Sequence, residues 1–200
     1  MSTKSPSSIF RKFTTFFILT SVFLLLCSCL KAPLGNPATS KIDPDIVGYW
    51  NQIDSDGSSG TLYVVAAFDD KAYLVQSVTY KKNGDEYTGK STAWKAWVTP
   101  IKNSKFITMD QISSLAIPKG ADGTIYPTAK YVVAADSMEV TPLKSEYAKF
   151  EGADTSEKIT KIITENVDDK EMYIADVMKL RRLKADNPDD AALMKVVNAW

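Results

Sequence analysis

The chain has 200 residues, with 24 Lys and Arg balanced by 24 Asp and Glu, no histidine and two cysteines. Without histidine, Ser-His-Asp and Cys-His catalysis are excluded, together with the usual zinc sites built from histidine and cysteine. The charge balance lacks the basic footprint of a nucleic-acid binder, and the length suits one domain with its own core.

The first segment carries Lys4, Arg11 and Lys12, then an apolar run from Phe13 to Leu26, then Leu26-Cys27-Ser28-Cys29. Basic residues, a short apolar core and a small residue before a cleavage point are the parts of an export signal. The run is near the minimum length for a spanning helix, so an uncleaved anchor is the rival reading, but Thr14, Thr15, Thr20 and Ser21 dilute it. The last four residues resemble the lipobox of bacterial lipoproteins, with a branched apolar residue at minus three, a small residue at minus one and the cysteine that receives lipid. Choosing Cys27 would put bulky Leu26 at minus one, so the resemblance points to Cys29. It implies a leader over 1–28, a membrane-anchored chain in the bacterial cell envelope and, with Leu30 rather than aspartate after the cysteine, an outer-membrane address in a Gram-negative source. Two or more acyl chains hold a protein on its membrane stably. Cleavage would remove three basic residues and no acidic ones, leaving 21 against 24. Cys29 would then be the remaining cysteine, so no internal disulfide could form and the fold must rest on apolar burial.

Residues 29–44 carry Pro33, Gly35, Pro37 and Pro44 among small polar residues, which predicts a flexible tether on the order of 20 Å in coil dimension. Residues 45–200 then read as a single mainly β domain. Segments rich in β-branched and aromatic residues predict strands near Ile46 to Ile53, Thr61 to Phe68, Ala72 to Tyr80, Glu86 to Val98, Lys105 to Met109, Thr128 to Ala135, Met138 to Leu143 and Met172 to Leu183. Asp69-Asp70-Lys71, Asn83-Gly84 and Asp136-Ser137 suit tight reversals between antiparallel neighbours. Such a meander closes into an up-and-down barrel of about eight strands or folds into a barrel-like sandwich. The stretch from Gln111 to Pro127 is too long for a hairpin and reads as a lid or a crossover.

Two peripheral helices are expected. One follows Asp154 as N-cap with Glu157 in the capping-box position, and Ile159, Ile162, Ile163 and Val167 form its stripe. The other starts at Asn187, with Pro188 first and Asp189 and Asp190 offsetting the helix dipole; Leu193, Val196, Val197 and Trp200 make its apolar face.

Gly48-Tyr49-Trp50, at the start of the first long strand, is similar to the Gly-x-Trp signature of the lipocalins and their calycin relatives. The resemblance implies that Gly48 turns the chain into a barrel and that Trp50 closes one end. It makes Arg181 or Arg182 the cover over the indole by cation–π contact. The family's arginine precedes its helix, whereas Arg181 and Arg182 follow the first helix expected here.

Other motifs are weak. Asp54-Ser55-Asp56-Gly57-Ser58 opens like a calcium loop but lacks the downstream glutamate, so a polar hairpin loop is preferred. The acidic pairs Asp69 with Asp70, Asp85 with Glu86, and Asp168 with Asp169 fall in turns, where aspartate is at home without catalysis. No metal or cofactor is expected. The aromatic set Tyr73, Tyr80, Tyr87, Trp94 and Trp97 comes from adjacent expected strands and offers a ligand-binding interior, with Trp94 or Trp97, Tyr73 and Tyr87 as the contacts. Side chains three apart on a strand face opposite ways, so only one of the two tryptophans should point inward. The expected role is a non-enzymatic carrier of a small apolar ligand; the alternative is an envelope protein-interaction or inhibitor module with a solid core.

Overall fold

The computed structural model describes residues 29–53, 59–83, 86–112 and 125–197. The expected leader, the Asp54 to Ser58 motif and most of the Gln111 to Pro127 connection lie outside them. Nine strands occur in chain order: β1 (Cys29–Leu30), β2 (Gly48–Ile53), β3 (Ser59–Ala67), β4 (Tyr73–Asn83), β5 (Glu86–Ile101), β6 (Ser104–Gln111), β7 (Tyr126–Ala134), β8 (Ser137–Pro142) and β9 (Met178–Arg182). From β2 to β8 each strand pairs with the next, antiparallel; β9 pairs with β8 on one side and β2 on the other. The result is a closed eight-stranded up-and-down barrel, and β1 adds two residues to the start of β7. No strand edge of the barrel is left to recruit another chain.

Local chemistry makes the hairpins. Asp69 Oδ1 accepts from the backbone N–H of Lys71 at 2.8 Å and of Ala72 at 2.7 Å, closing the β3–β4 turn. The β5–β6 and β7–β8 reversals use two residues each, and their first residues, Lys102 and Ala135, take φ of 52°, which matches the twist of a hairpin.

The register fixes the width of the barrel. Following paired positions once around from Trp50, through Tyr63, Ser77 and Thr92, returns to position 62 on the line of β2, a shear of 62 − 50 = 12. With eight strands, that shear sets a tilt of roughly 46° and a backbone radius of roughly 9 Å. A shear of 8 gives roughly 7.6 Å, the geometry of barrels packed solid with side chains. The backbone cylinder is correspondingly wider.

Three apolar layers result. The first is the barrel interior, with Trp50, Val65, Tyr73, Val75, Ala96, Val98, Tyr131, Met138, Val140 and Leu180. The second lies outside β5–β7, where α1 (Ser156–Asn166) and residues 30–34 cover Ile101 and Phe106. The third lies outside β2–β4, where α2 (Pro188–Val197) sets Leu193 against Leu62, Val78 and Tyr80. Thr155 caps α1, accepting from Lys158 N–H at 3.3 Å. The cap is one residue later than expected, because Asp154 is drawn instead into an ion pair with Lys158 at 2.7 Å. At α2 the expected cap forms, Asn187 Oδ1 accepting from Asp189 and Asp190 N–H.

The segment expected to be a tether is instead a strap packed along the outer wall. Leu30, Ala32 and Leu34 are buried, and the Leu34 carbonyl accepts from Trp97 Nε1 at 2.8 Å, Thr99 Oγ1 at 3.3 Å and Thr108 Oγ1 at 3.4 Å. Gly35 takes φ of +70°, and a Cβ there would lie 2.2 Å from Thr99 Oγ1. The glycine provides close approach, not slack. Ser156 Oγ at the start of α1 donates to the Gly35 carbonyl at 3.0 Å, holding the strap from above. At the far end Ser40 Oγ donates to Val98 O and accepts from Val98 N–H, standing in for a strand neighbour before the start of β4.

Candidate functional site: a barrel closed at one end

The strap turns into one end of the barrel and plugs it. Asp43 caps a 3-10 turn over Pro44–Ile46, and Trp50 beneath it is fully buried, its Nε1 donating to the Ile46 carbonyl at 2.8 Å. The Arg182 guanidinium stacks on the Trp50 ring at 4.1 Å from the centroid and donates to the carbonyls of Val47, at 2.8 Å, and Asp45. A side chain on Gly48, which has φ of +136°, would put Cβ 2.8 Å from Arg182 Nη1. Gly48, Trp50 and Arg182 therefore form one unit: the glycine leaves room for the guanidinium that covers the indole. Arg182 ends β9 and precedes α2, so the chain order departs less from the resemblance than the first helix alone suggested.

Arg181, the other candidate cover, points to the outside. It holds Asp190 of α2 through two bonds of 2.9 and 2.7 Å, and Asp190 also accepts the Lys184 N–H. The Arg181 bond, outweighing the cost of burial, keeps the Asp190 carboxyl below its usual range.

Polar groups at the closed end are matched with one another. Asp43 Oδ2 accepts from Lys105 Nζ at 2.7 Å and from the Tyr131 hydroxyl at 2.8 Å, while Tyr73 Oη accepts the Asp43 N–H. Burial alone would raise the Asp43 pKa, but the bonds from Lys105, Tyr131 and Asp45 prevail and lower it. Burial and the neighbouring carboxylate push both tyrosines above the ordinary phenol range. Tyr73, proposed from sequence as a ligand contact, is thus part of the plug.

Toward the other end the inner wall changes character. Tyr63, Ser77, Thr92, Trp94 and Met109 project inward by their register and are only partly buried. Trp50, Tyr73 and Tyr131 all have bonded polar atoms. By contrast, neither Tyr63 Oη nor Trp94 Nε1 has a hydrogen-bond partner among the described residues. Burial, with no partner to offset it, pushes the Tyr63 phenol up to about 12. Neither Tyr63 Oη nor Trp94 Nε1 is sealed from solvent; the buried side-chain atom without a partner among the described residues is Asn51 Nδ2, on the outer face of β2. Sequence reasoning had Trp94 but not Tyr63, whose signal is the same-face pairing with Trp50 across β2 and β3.

Trp97 faces outward as the parity argument requires and is consumed by the strap. The Tyr87 side chain lies outside the described residues. A shallow depression of about 300 Å³ beside α1 is bordered by Glu151, Lys158, Lys161 and Glu165, far from the barrel interior. Its rim of exposed long charged side chains offers nothing preorganised. Among the described residues no group of carboxylates or cysteines is placed to hold a metal ion, and no helix is long and apolar enough to cross a membrane. Comparison with protein-family models, curated proteins and solved structures finds no match.

Proposed function

We propose that this chain is an exported lipoprotein, acylated at Cys29 and resident in the bacterial cell envelope, at the outer membrane in a Gram-negative source. In this reading its lipocalin-like barrel carries one small apolar ligand and does no chemistry. The observation that supports a carrier is the contrast within the barrel: every interior aromatic donor at the plugged end is bonded, whereas Tyr63 and Trp94 in the other half are not. A wide shear and aromatic walls with few polar groups suit a ligand with an apolar body and one hydrogen-bonding group.

The test is titration of the full chain in mild detergent with a sixteen-carbon fatty acid, read by tryptophan fluorescence. The expected result is saturable one-to-one binding, loss of the signal change in Trp94→Phe, and affinity about 5-fold weaker in Tyr63→Phe as one neutral hydrogen bond is lost. Absence of saturable binding to this and to a phospholipid probe would support the alternative, an envelope interaction module with a filled core.

A further inference from the structure

The residue expected to carry lipid has no slack chain after it. Cys29 and Leu30 lie opposite Pro127 and Tyr126 in an antiparallel pairing with the first residues of β7. Leu30, Ala32 and Leu34 are 2, 5 and 0 % exposed, in one apolar layer with Ile101 and Phe106 of the barrel wall and Ile159 and Ile163 of α1. The Leu34 carbonyl takes three hydrogen bonds from β5 and β6, and the Gly35 carbonyl takes one from Ser156 of α1. The chain that follows the Ser28–Cys29 bond is therefore fixed in the folded body from its first residue.

We infer that the fold sets the order of maturation at Cys29: acylation and removal of the leader come first, and the strap docks last. This rests on the lipoprotein reading and adds to it a sequence of events. In acylation the Cys29 sulfur bonds to a glyceryl carbon of a membrane phospholipid as the bond from that carbon to the phosphate oxygen breaks, and the thiol proton leaves with the phosphate. In cleavage water adds across the Ser28–Cys29 amide, its oxygen going to the Ser28 carboxylate and a proton to the Cys29 amine. An enzyme in the bilayer reaches these atoms by taking the flanking residues as extended chain in its own cleft, and a backbone already paired to β7 is not free to enter it. Once docked, the strap has to give up the burial of Leu30, Ala32 and Leu34 and the bonds at Leu34 and Gly35 before the junction can leave the wall. A tether of the length first expected would leave the junction accessible whatever the state of the fold. The strap also carries Asp43, so its docking completes the outer layer and the plug in one step.

The experiment compares full-length precursors with the leader intact, folded in mild detergent and incubated with detergent-solubilised bacterial inner membranes as the source of phospholipid and processing enzymes. The chains are the natural one, Gly35→Ala, and one with twelve Gly and Ser residues inserted between Cys29 and Leu30, which frees the junction while leaving the docked residues in place. The mass of the amino-terminal peptide follows acylation and cleavage. The natural precursor should be converted about 10-fold or more slowly than the inserted one, because attack on a docked segment tracks the fraction of molecules in which it is open; Gly35→Ala should fall between them. Diluted from urea straight into the extract, so that the enzymes meet undocked chain, the natural and inserted precursors should be converted at equal rates. Their unfolding midpoints should also agree, which makes the difference one of access. Conversion of the folded natural precursor as fast as the inserted one would overturn the order and leave the anchor standing. If neither is acylated or cleaved while an unrelated lipoprotein precursor in the same extract is, the lipoprotein reading and this inference fall together.

Discussion

Replacing Arg182 with methionine tests the plug most directly, because this side chain joins the end of β9 to residues 45–50, remote from it in sequence. The substitution keeps much of the stem's volume but removes the stacking on Trp50 and the two bonds to the carbonyls of Val47 and Asp45. A partly desolvated cation–π contact is worth about 1–2 kcal/mol. Bonds from a charged donor are worth about 1.5–3 kcal/mol each when buried. Arg182 is only partly buried and one carbonyl is near solvent, so a discounted total of about 3 kcal/mol is expected. For a chain of this size that corresponds to a fall in Tm of about 6–12 °C. Urea unfolding of the full chain in mild detergent, followed by tryptophan fluorescence, measures it. Arg182→Lys should recover less than half, since an ammonium cannot stack and reach both carbonyls at once. A cycle with Trp50→Phe should show a coupling of about 1 kcal/mol. A loss below about 1 kcal/mol for Arg182→Met, with no coupling to Trp50, would refute the account of Gly48, Trp50 and Arg182 as one unit.

Other consequences follow from the same contacts. Asp43 has its pKa lowered in the fold, so its contribution should be complete above pH 4 and vanish as pH falls through the depressed value; Asp43→Asn should lower stability at pH 7 and flatten the acid limb below pH 4 in urea midpoints taken against pH. Gly35→Ala should detach the strap by forcing a Cβ against Thr99 in a left-handed backbone, read as faster proteolysis within residues 30–42 at a cost of about 2 kcal/mol or more. Trp97→Phe should loosen the same strap by about 0.5–1.5 kcal/mol through loss of the shortest of the three hydrogen bonds to the Leu34 carbonyl, without changing fatty-acid affinity, because the ring faces away from the interior. Asp190→Ala should leave the barrel intact but free α2, seen as faster hydrogen exchange over 188–195.

The barrel was legible in the sequence because its strands keep strict alternation, with no bulge in any of the eight paired registers. Parity alone therefore separated Trp94 from Trp97. The strap was not legible. Pro33, Gly35 and Pro37 have the composition of a linker, and what holds this stretch is one carbonyl meeting three side chains from β5 and β6, a coincidence of tertiary structure with no local pattern. The plug was half legible: Gly48 and Trp50 stood out, but the choice between Arg181 and Arg182 depends on strand parity at the closing pair, where Trp50 faces Arg182 and Asn51 faces Arg181. Nor could the partners of Asp43 be read, since they come from β4, β6 and β7, and only closure of the barrel gathers them.

The strap connects the two ends of the molecule in a way that constrains how a ligand could be released. The same fifteen residues of chain, 29–43, run from the start of β7 at Cys29, past Trp97 and Thr99, to the carboxylate of Asp43 that seals the far end. A barrel without free edges cannot open sideways without breaking a ladder of backbone bonds, and the plugged end is closed by an ion pair, two tyrosines and a stacked arginine. In the carrier reading, a ligand would leave by the end that holds the start of β7, the end toward which Tyr63 and Trp94 lie. Because the strap lies outside the wall, Gly35→Ala should leave fatty-acid affinity in detergent unchanged; a weaker affinity would show that the strap shapes the interior.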